Sequence, residues 1–340
     1  MSMKKLFALA LVLALSITML AGCAQSAAST TAAPEATTAA PAATTAAETT
    51  AAASEAKTYK IGVSFDYLSD FMATCVDGVN GYAKENPNVT VTIQDAALDV
   101  SKQLQQVENF ISAGYDAIVI KPVDGDGCGP MSDACKKANI PFVVINSPVN
   151  NTEYSTYVGS DHVLSGKLQG EFVAKALNGK GNIVILQGDL KNSATTMRTD
   201  GNKSIISQYP DMKVISEQTA NWMRNEAMTK MENWLNSGLK IDAVLANNDE
   251  MALGAAQVLK EAKITNILVC GIDATKDALN ALKDGTMAMT VFQNGYQQGY
   301  QGVASAVKIL NGETVPQYVD VPYEAVLPAQ ADEYLKKIGG

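Results

Sequence analysis

The sequence predicts an α/β protein made of two similar lobes, each a doubly wound parallel sheet. Three observations predict it. From residue 59 onward, short apolar runs of strand length alternate with amphipathic stretches of helix length, the pattern of parallel sheets covered on both faces. About ten such units follow one another, too many for one comfortable open sheet. A chain of 340 residues with 47% apolar and 18% charged content also has material for two globular domains of ~100 to 200 residues. A (β/α)8 barrel is the competing architecture for the same alternation.

Taken in order, the chain opens with a segment outside the fold. Lys4 and Lys5 precede an apolar run over 6–20 that ends in the small residues Ala21 and Gly22, so 1–22 is expected to be an export signal. The run is shorter than the ~20 residues a membrane-spanning helix requires, and no later stretch reaches that length. Leu20-Ala21-Gly22-Cys23 resembles the bacterial lipobox, whose cysteine is acylated and becomes the new N-terminus. Cys23 is therefore the expected lipidation site and 1–22 a lipoprotein signal peptide, with the lipid as the only membrane attachment. Residues 24–56 hold 16 Ala, 8 Thr, three Glu and two Pro, with no Lys or Arg. With no apolar face to bury, and with Thr pairs and prolines interrupting helix, 23–56 is expected to be a disordered tether.

The folded body begins at 57. Its first unit is the run Tyr59–Phe65 followed by a helix to residue 84, and its second is 89–94 followed by a helix over 101–113. The later strands are expected at 117–120, 141–145, 182–187, 213–219, 241–246, 267–272 and 287–292. Cys75 and Cys270 fall inside apolar stretches, where a thiol acts as a small hydrophobe, while Cys128 and Cys135 leave a disulfide open. No CxxC pair occurs, and no metal site is expected.

Charge and composition exclude several functions. The net charge of −9, from 26 Lys+Arg against 35 Asp+Glu, works against a nucleic-acid partner, which needs a concentrated basic surface. Arg198 and Arg224 are the two arginines and His162 the one histidine, so paired-histidine metal sites are ruled out. His162 follows Ser160-Asp161 at an expected helix start, which reads as a surface position rather than a general base. No GxSxG elbow, HExxH helix or GxxxxGK[ST] phosphate loop occurs, and Gly125, Gly127 and Gly129 lack the dinucleotide spacing. Neither an enzyme nor a cofactor is expected.

In parallel sheets ligands bind beyond the carboxyl ends of the strands, so the residues after each apolar run carry the functional expectation. After the first run come Asp66 to Phe71, Ser69, Asp70 and Phe71 among them; after 143–145 come Asn146 and Ser147; after 184–186 a loop leads to Arg198. Asn221-Trp222 follows the strand ending near Thr219, Asn247-Asn248-Asp249 follows Ala246, Asp273 follows Ile272 and Gln293 follows Phe292. A polyhydroxylated ligand needs donors and acceptors in pairs, and planar carboxylate, amide and guanidinium groups engage two neighbouring hydroxyls. Asn146, Arg198, Asn248, Asp273 and Gln293 supply that chemistry, while Phe71 and Trp222 offer rings for the C–H faces of a sugar. Each also has an ordinary explanation: Asn and Asp after strands are favoured as turn and cap residues, Trp222 and Phe71 fit a core, and Arg198 stands near Asp200 for a surface ion pair. Their joint placement at successive strand ends favours a binding site.

These residues resemble a family, the type I periplasmic sugar-binding proteins that serve ABC importers as ribose and galactose/glucose receptors. The similarity runs over about 57–325. Ala246-Asn247-Asn248-Asp249-Glu250-Met251-Ala252-Leu253-Gly254, Tyr157-Val158-Gly159-Ser160-Asp161 and Gly271-Ile272-Asp273-Ala274 carry it. Thr219-Ala220-Asn221-Trp222 and Trp234-Leu235 resemble the galactose/glucose branch in particular. The resemblance implies that Phe71 and Trp222 stack on the ligand and that Asn146, Arg198, Asn248, Asp273 and Gln293 hydrogen-bond it, with Ser69, Asp70 and Ser147 as further candidates. The galactose/glucose branch has Asp where Ser69 stands and His-Pro-Asp where Asn192-Ser193-Ala194 stands, and the ribose branch has Asp-Arg in place of Asn146-Ser147. The short turn over 178–182 lacks the oxygen ligands of the calcium loop in the galactose/glucose branch.

The resemblance further implies a three-segment hinge, with crossings near Ser160, Gln293 and Tyr323. Residues 57–160 with 294–322 then form the N-terminal lobe, and 161–293 with 323–340 the C-terminal lobe. The implied ligand is a galactose- or glucose-like hexose, ribose, or a cyclic polyol such as inositol, caught as the lobes close and handed by a monomer to an ABC transporter permease. A sensory subunit for a receptor kinase or chemoreceptor would share the same site. A sugar-responsive repressor would need a helix-turn-helix where this chain has its export segment.

Overall fold

The structure, a computed structural model, describes residues 57–150 and 152–339; the export signal, the lipidation site Cys23 and the tether expected over 1–56 lie outside the described residues. In chain order the elements are β1 (Tyr59–Phe65), α1 (Asp70–Glu85), β2 (Val89–Asp95), α2 (Val100–Ser112), β3 (Ala117–Ile120), α3 (Gly129–Ala138), β4 (Phe142–Asn146) and β5 (Thr156–Gly159). There follow α4 (His162–Ala176), β6 (Lys180–Gln187), α5 (Ser193–Ile206), β7 (Asp211–Thr219), α6 (Arg224–Asn236), β8 (Ala243–Ala246), α7 (Asp249–Glu261), β9 (Leu268–Cys270), α8 (Lys276–Lys283) and β10 (Thr290–Phe292). The chain closes with α9 (Gly295–Leu310), β11 (Tyr318–Asp320), β12 (Glu324–Val326), a 3-10 turn at Pro328–Gln330 and α10 (Ala331–Ile338).

Alternation along the strands decides where the cores sit. In the first sheet Ile61, Val63, Val119, Val143 and Ile145 pack on one face, while Ile118, Ile120, Phe142 and Val144 pack on the other. The second sheet repeats this with Val184, Leu186, Val244 and Ala246 on one face and Ile183, Ile185, Ala243 and Leu245 on the other. Both faces of each sheet need cover, and the helices supply it. The α/β architecture of two doubly wound lobes is therefore observed, and the barrel is not.

The six-stranded sheet has the order β11-β5-β4-β3-β1-β2 and the four-stranded sheet the order β7-β6-β8-β9. All of their pairings are parallel. In each lobe the winding reverses once, between β1 and β3 and between β6 and β8, and a crevice opens beyond the strand ends at such a reversal. Seven helices begin on a capping side chain, from Ser69, Asp99, Asp161, Asn192, Asn248, Thr275 and Asn294, each contributing about 1 kcal/mol. The chain passes between the sheets at 160–161, 293–294 and 321–323, so α9 covers the first sheet although it follows β10 of the second lobe.

Several details differ from expectation. β5, β11 and β12 are not among the apolar runs read from the sequence, because four- and three-residue strands, one of them largely exposed, carry too little periodicity to register. The runs at 267–272 and 287–292 shrink to three-residue strands, with single bridges from Cys270 to Met289 and from Asp273 to Phe292 beyond them. Cys75, Cys128, Cys135 and Cys270 are buried free thiols, so the open Cys128–Cys135 disulfide is not formed. Among the described residues no helix is long and apolar enough to cross a membrane.

Candidate functional site

The carboxyl ends of the strands in both lobes face one cleft. Its N-terminal wall holds Tyr67, Ser69, Phe71, Met72, Lys121, Asn146 and Ser147, and its C-terminal wall holds Asn192, Ala194, Arg198, Trp222, Asn248 and Asp273, with Gln293 at the second crossing. The free space between them is about 40 Å³, so the two walls stand close together. A wider groove of about 1070 Å³ opens beside it between α1, α8, α9 and α10, and shares Phe71, Asp273 and Gln293 with the cleft. The smaller cleft is the candidate site, because the buried polar groups converge there.

Arg198 is the centre of the C-terminal wall. Its Nη1 donates to the Asn247 carbonyl (2.5 Å), its Nη2 to Gln293 Oε1 (2.8 Å) and to the Tyr323 hydroxyl (2.9 Å), and its Nε to His162 Nδ1 (3.3 Å). The Asp273 carboxylate lies 3.9 Å from Nη1. The guanidinium also sits 5.7 Å from the Trp222 ring centroid and 5.9 Å from that of Tyr323, within cation–π range. Burial pushes the Asp273 carboxyl well above its ordinary range, and the Arg198 charge opposes that shift. The guanidinium is thus fixed by protein groups before any ligand arrives.

Backbone conformation aims the other side chains. Asn146, Asn221, Trp222, Asp273 and Ala274 all have positive φ, a conformation disfavoured for non-glycine residues that collects at functional sites. Trp222 is seated against Gly188, where an added Cβ would lie 2.1 Å from the indole. Asn248 caps α7 by accepting from Met251 N (3.0 Å) and donates to the Trp222 carbonyl (3.2 Å), so one side chain fixes both the helix and the aromatic loop. Asn146 donates to Gln298 Oε1 (2.9 Å) and accepts from Ser147 Oγ (3.1 Å).

Beneath the cleft a hydrogen-bonded network ties the three crossings together. Gln298 Nε2 donates to Ser160 Oγ (2.9 Å), and Ser160 Oγ in turn donates to the Val321 carbonyl. His162 Nε2 lies 2.7 Å from the Asn146 carbonyl, which can only accept, so the proton belongs on Nε2 and Nδ1 accepts from the Tyr323 hydroxyl (2.8 Å). Burial, and then the Arg198 charge, hold the imidazole well below its ordinary value. The expectation that His162 is a surface residue is wrong: the first lobe crossing places this helix start under the hinge, where it is fully buried.

The structure brings Phe71, Asn146, Arg198, Trp222, Asn248, Asp273 and Gln293 to this one cleft, with Ser69 and Ser147 beside them. Asp70 does not join them: it is exposed, and it lines the outer groove because the α1 start turns it away from the cleft. Arg198 is buried within the cleft wall, not on a surface beside Asp200. Sequence reasoning missed Tyr67, Lys121 and Asn192 in the walls and Tyr323 and Gln298 beneath them. Lys121 follows the run 117–120 directly, so the strand-end rule reaches it; a lysine is ordinarily read as solvent-facing.

A cleft at the winding reversals of two parallel-sheet lobes, lined by amides, a carboxylate, a guanidinium and aromatic rings, defines a two-lobed solute-binding protein. The sequence matches the family described as periplasmic binding protein domain over residues 61–314, and the chain belongs to that family. It is 41% identical to a candidate rhizopine-binding protein of Rhizobium meliloti, over 82% of this chain and 93% of that one. It is 40% identical to a xylitol-binding protein of Mycolicibacterium smegmatis, over 78% of this chain and 77% of that one. Among solved structures, an ABC transporter solute-binding protein of Bacillus halodurans with bound myo-inositol is 42% identical, covering 84% of this chain and 99% of its own, with a TM-score of 0.81. The family is one of ligand binders, not enzymes.

Proposed function

We propose that this protein captures one monosaccharide or cyclic polyol between its lobes, outside the cytoplasmic membrane, and delivers it to an ABC importer. The observation that carries the reading is the convergence of Asn146, Arg198, Asn248, Asp273 and Gln293 with the Phe71 and Trp222 rings in one cleft. Charge-assisted hydrogen bonds contribute roughly 1.5 to 3 kcal/mol each, and a buried group left unpaired costs a similar amount, so such a cleft selects stereochemistry. The Arg198 donors are already taken by His162, Asn247, Gln293 and Tyr323, and Lys121 is paired with Asp66, which leaves little for an anion and favours an uncharged ligand. Similarity to inositol- and xylitol-binding relatives supports a polyol over a phosphorylated or acidic sugar.

Residues contributed by both lobes make the closed form bind better than the open form, and that difference drives closure. The lipobox-like Leu20-Ala21-Gly22-Cys23 and the Ala/Thr-rich stretch after it support a lipid-anchored monomer held near its permease by the Cys23 acyl chains. A thermal-shift screen of myo-inositol, xylitol, D-ribose, D-allose and D-glucose tests the reading, since a ligand of the native state raises the melting temperature by mass action. At least one neutral polyol or sugar should do so, with a dissociation constant of about 1 μM. If none does, the reading fails.

A further inference from the structure

The N-terminal lobe carries a charged pair whose carboxylate the sequence reads as an ordinary turn or cap residue and whose lysine it does not single out. Asp66 follows β1 and Lys121 follows β3, the two strands between which the winding of that sheet reverses. Both side chains are almost wholly buried, and Lys121 Nζ donates to Asp66 Oδ2. The Lys121 backbone is pinned as well: its N–H donates to the Ser64 carbonyl (2.9 Å) and its carbonyl accepts from Gln103 Nε2 (2.8 Å).

The pair is incompletely satisfied. An ammonium has three N–H donors, and Asp66 takes the one that has a protein partner. Asp66 Oδ1 is buried with no side-chain partner, and only the backbone N–H groups of Asp66 and Tyr67 lie near the carboxyl. Unpaired polar groups at such depth are unusual in a finished core, and Lys121 lines the cleft opposite the wall that holds Arg198, Trp222 and Asp273. Lys121 lines the cleft and Asp66 lies behind it, so a ring hydroxyl can accept from the free N–H capacity of Lys121 while Asp66 holds the ammonium in place.

We propose that Lys121, positioned by Asp66, is a specificity-determining residue that donates to one hydroxyl of the bound polyol from the N-terminal lobe. The ligand is then gripped by a cation–carboxylate pair on each side, Lys121/Asp66 at one winding reversal and Arg198/Asp273 across the cleft. This rests on the polyol-binding reading above.

The test is calorimetric titration of the tightest binder among myo-inositol, xylitol, D-ribose, D-allose and D-glucose, together with its monodeoxy analogues. Lys121→Met alone leaves the Asp66 carboxylate buried without its cation, so the double variant Lys121→Met/Asp66→Asn, which removes both charges, is measured beside it. Loss of one charge-assisted hydrogen bond should weaken binding of the full ligand by roughly 10- to 150-fold in the double variant. One monodeoxy analogue, already weak with the parent, should bind the variant as well as the full ligand does, because the missing hydroxyl and the missing ammonium are partners. Unchanged affinity overturns the proposal. A uniform loss that preserves the parent's whole discrimination pattern also overturns it, because that is the behaviour of a purely structural pair. A parent that binds no compound of the panel overturns the polyol reading and this proposal with it.

Discussion

Arg198 shows at the scale of a residue how the cleft is prepared: five neighbours hold one guanidinium, so it does not have to be ordered when a ligand arrives. Asp273→Ala removes its carboxylate partner and Trp222→Ala removes its ring. Each is expected to weaken polyol binding at least tenfold in calorimetric titration while leaving the far-UV circular dichroism unchanged. His162 gives a pH signature. Its folded-state value lies below the 6.5 of the unfolded chain, so its contribution to stability is present above that pH and is lost as the pH falls below it. Asp249 has the opposite sign: burial raises it to about 6, so its contribution is present below the unfolded value of 3.8 and is lost as pH rises through about 6. His162→Gln keeps a donor for Asn146 and an acceptor for Tyr323, and its melting temperature should fall less than the parent's between about pH 7 and pH 5. An equal fall in both proteins would remove His162 from the account. Asp273 and Asn248 were legible in the sequence because they stand directly after apolar strands. Burial of His162 and Lys121 was not, since it follows from a lobe crossing and a winding reversal that only the assembled fold supplies.

Helix crossings set the walls of the cleft at the scale of elements. α4 meets α5 through Gly166 and Gly201, where an added Cβ would lie 2.0 Å from the Arg198 carbonyl and 2.2 Å from the Val163 carbonyl. α1 meets α9 in the same way through Gly78 and Gly299, against the Tyr296 and Cys75 carbonyls. Backbone cannot yield as a flexible side chain does, so a methyl at Gly166 must push α5, and with it Arg198, out of place. Gly166→Ala is expected to destabilise by about 1 to 3 kcal/mol and to weaken ligand binding as well. Melting temperature and titration together check this, and a destabilised variant with parental affinity would separate the crossing from the site. The long strand–helix units were legible because an apolar run followed by 3.6-residue periodicity is repeated through the chain. β11 and β12 escaped because three residues beside a hinge have no pattern to show; their places follow from pairing with β5 and β10.

The whole molecule is two lobes of like winding joined by three crossings and locked beneath the cleft by Ser160, His162, Gln293, Gln298 and Tyr323. A ligand that touches one lobe gives no reason to close, whereas a ligand bridging Asn146 and Asp273 favours the closed form by the difference in contacts. The two-lobed α/β architecture was legible from the alternation and the number of units, while the convergence of side chains from residue 71 to residue 293 required the fold. That convergence is the central claim, and calorimetric titration of the parent, Asn146→Ala and Asp273→Ala with the tightest-binding polyol tests it most directly. At least tenfold weaker binding in both variants, one from each lobe, is the predicted result. Parental affinity in either variant would mean that the ligand is held by one lobe or elsewhere, and would contradict it.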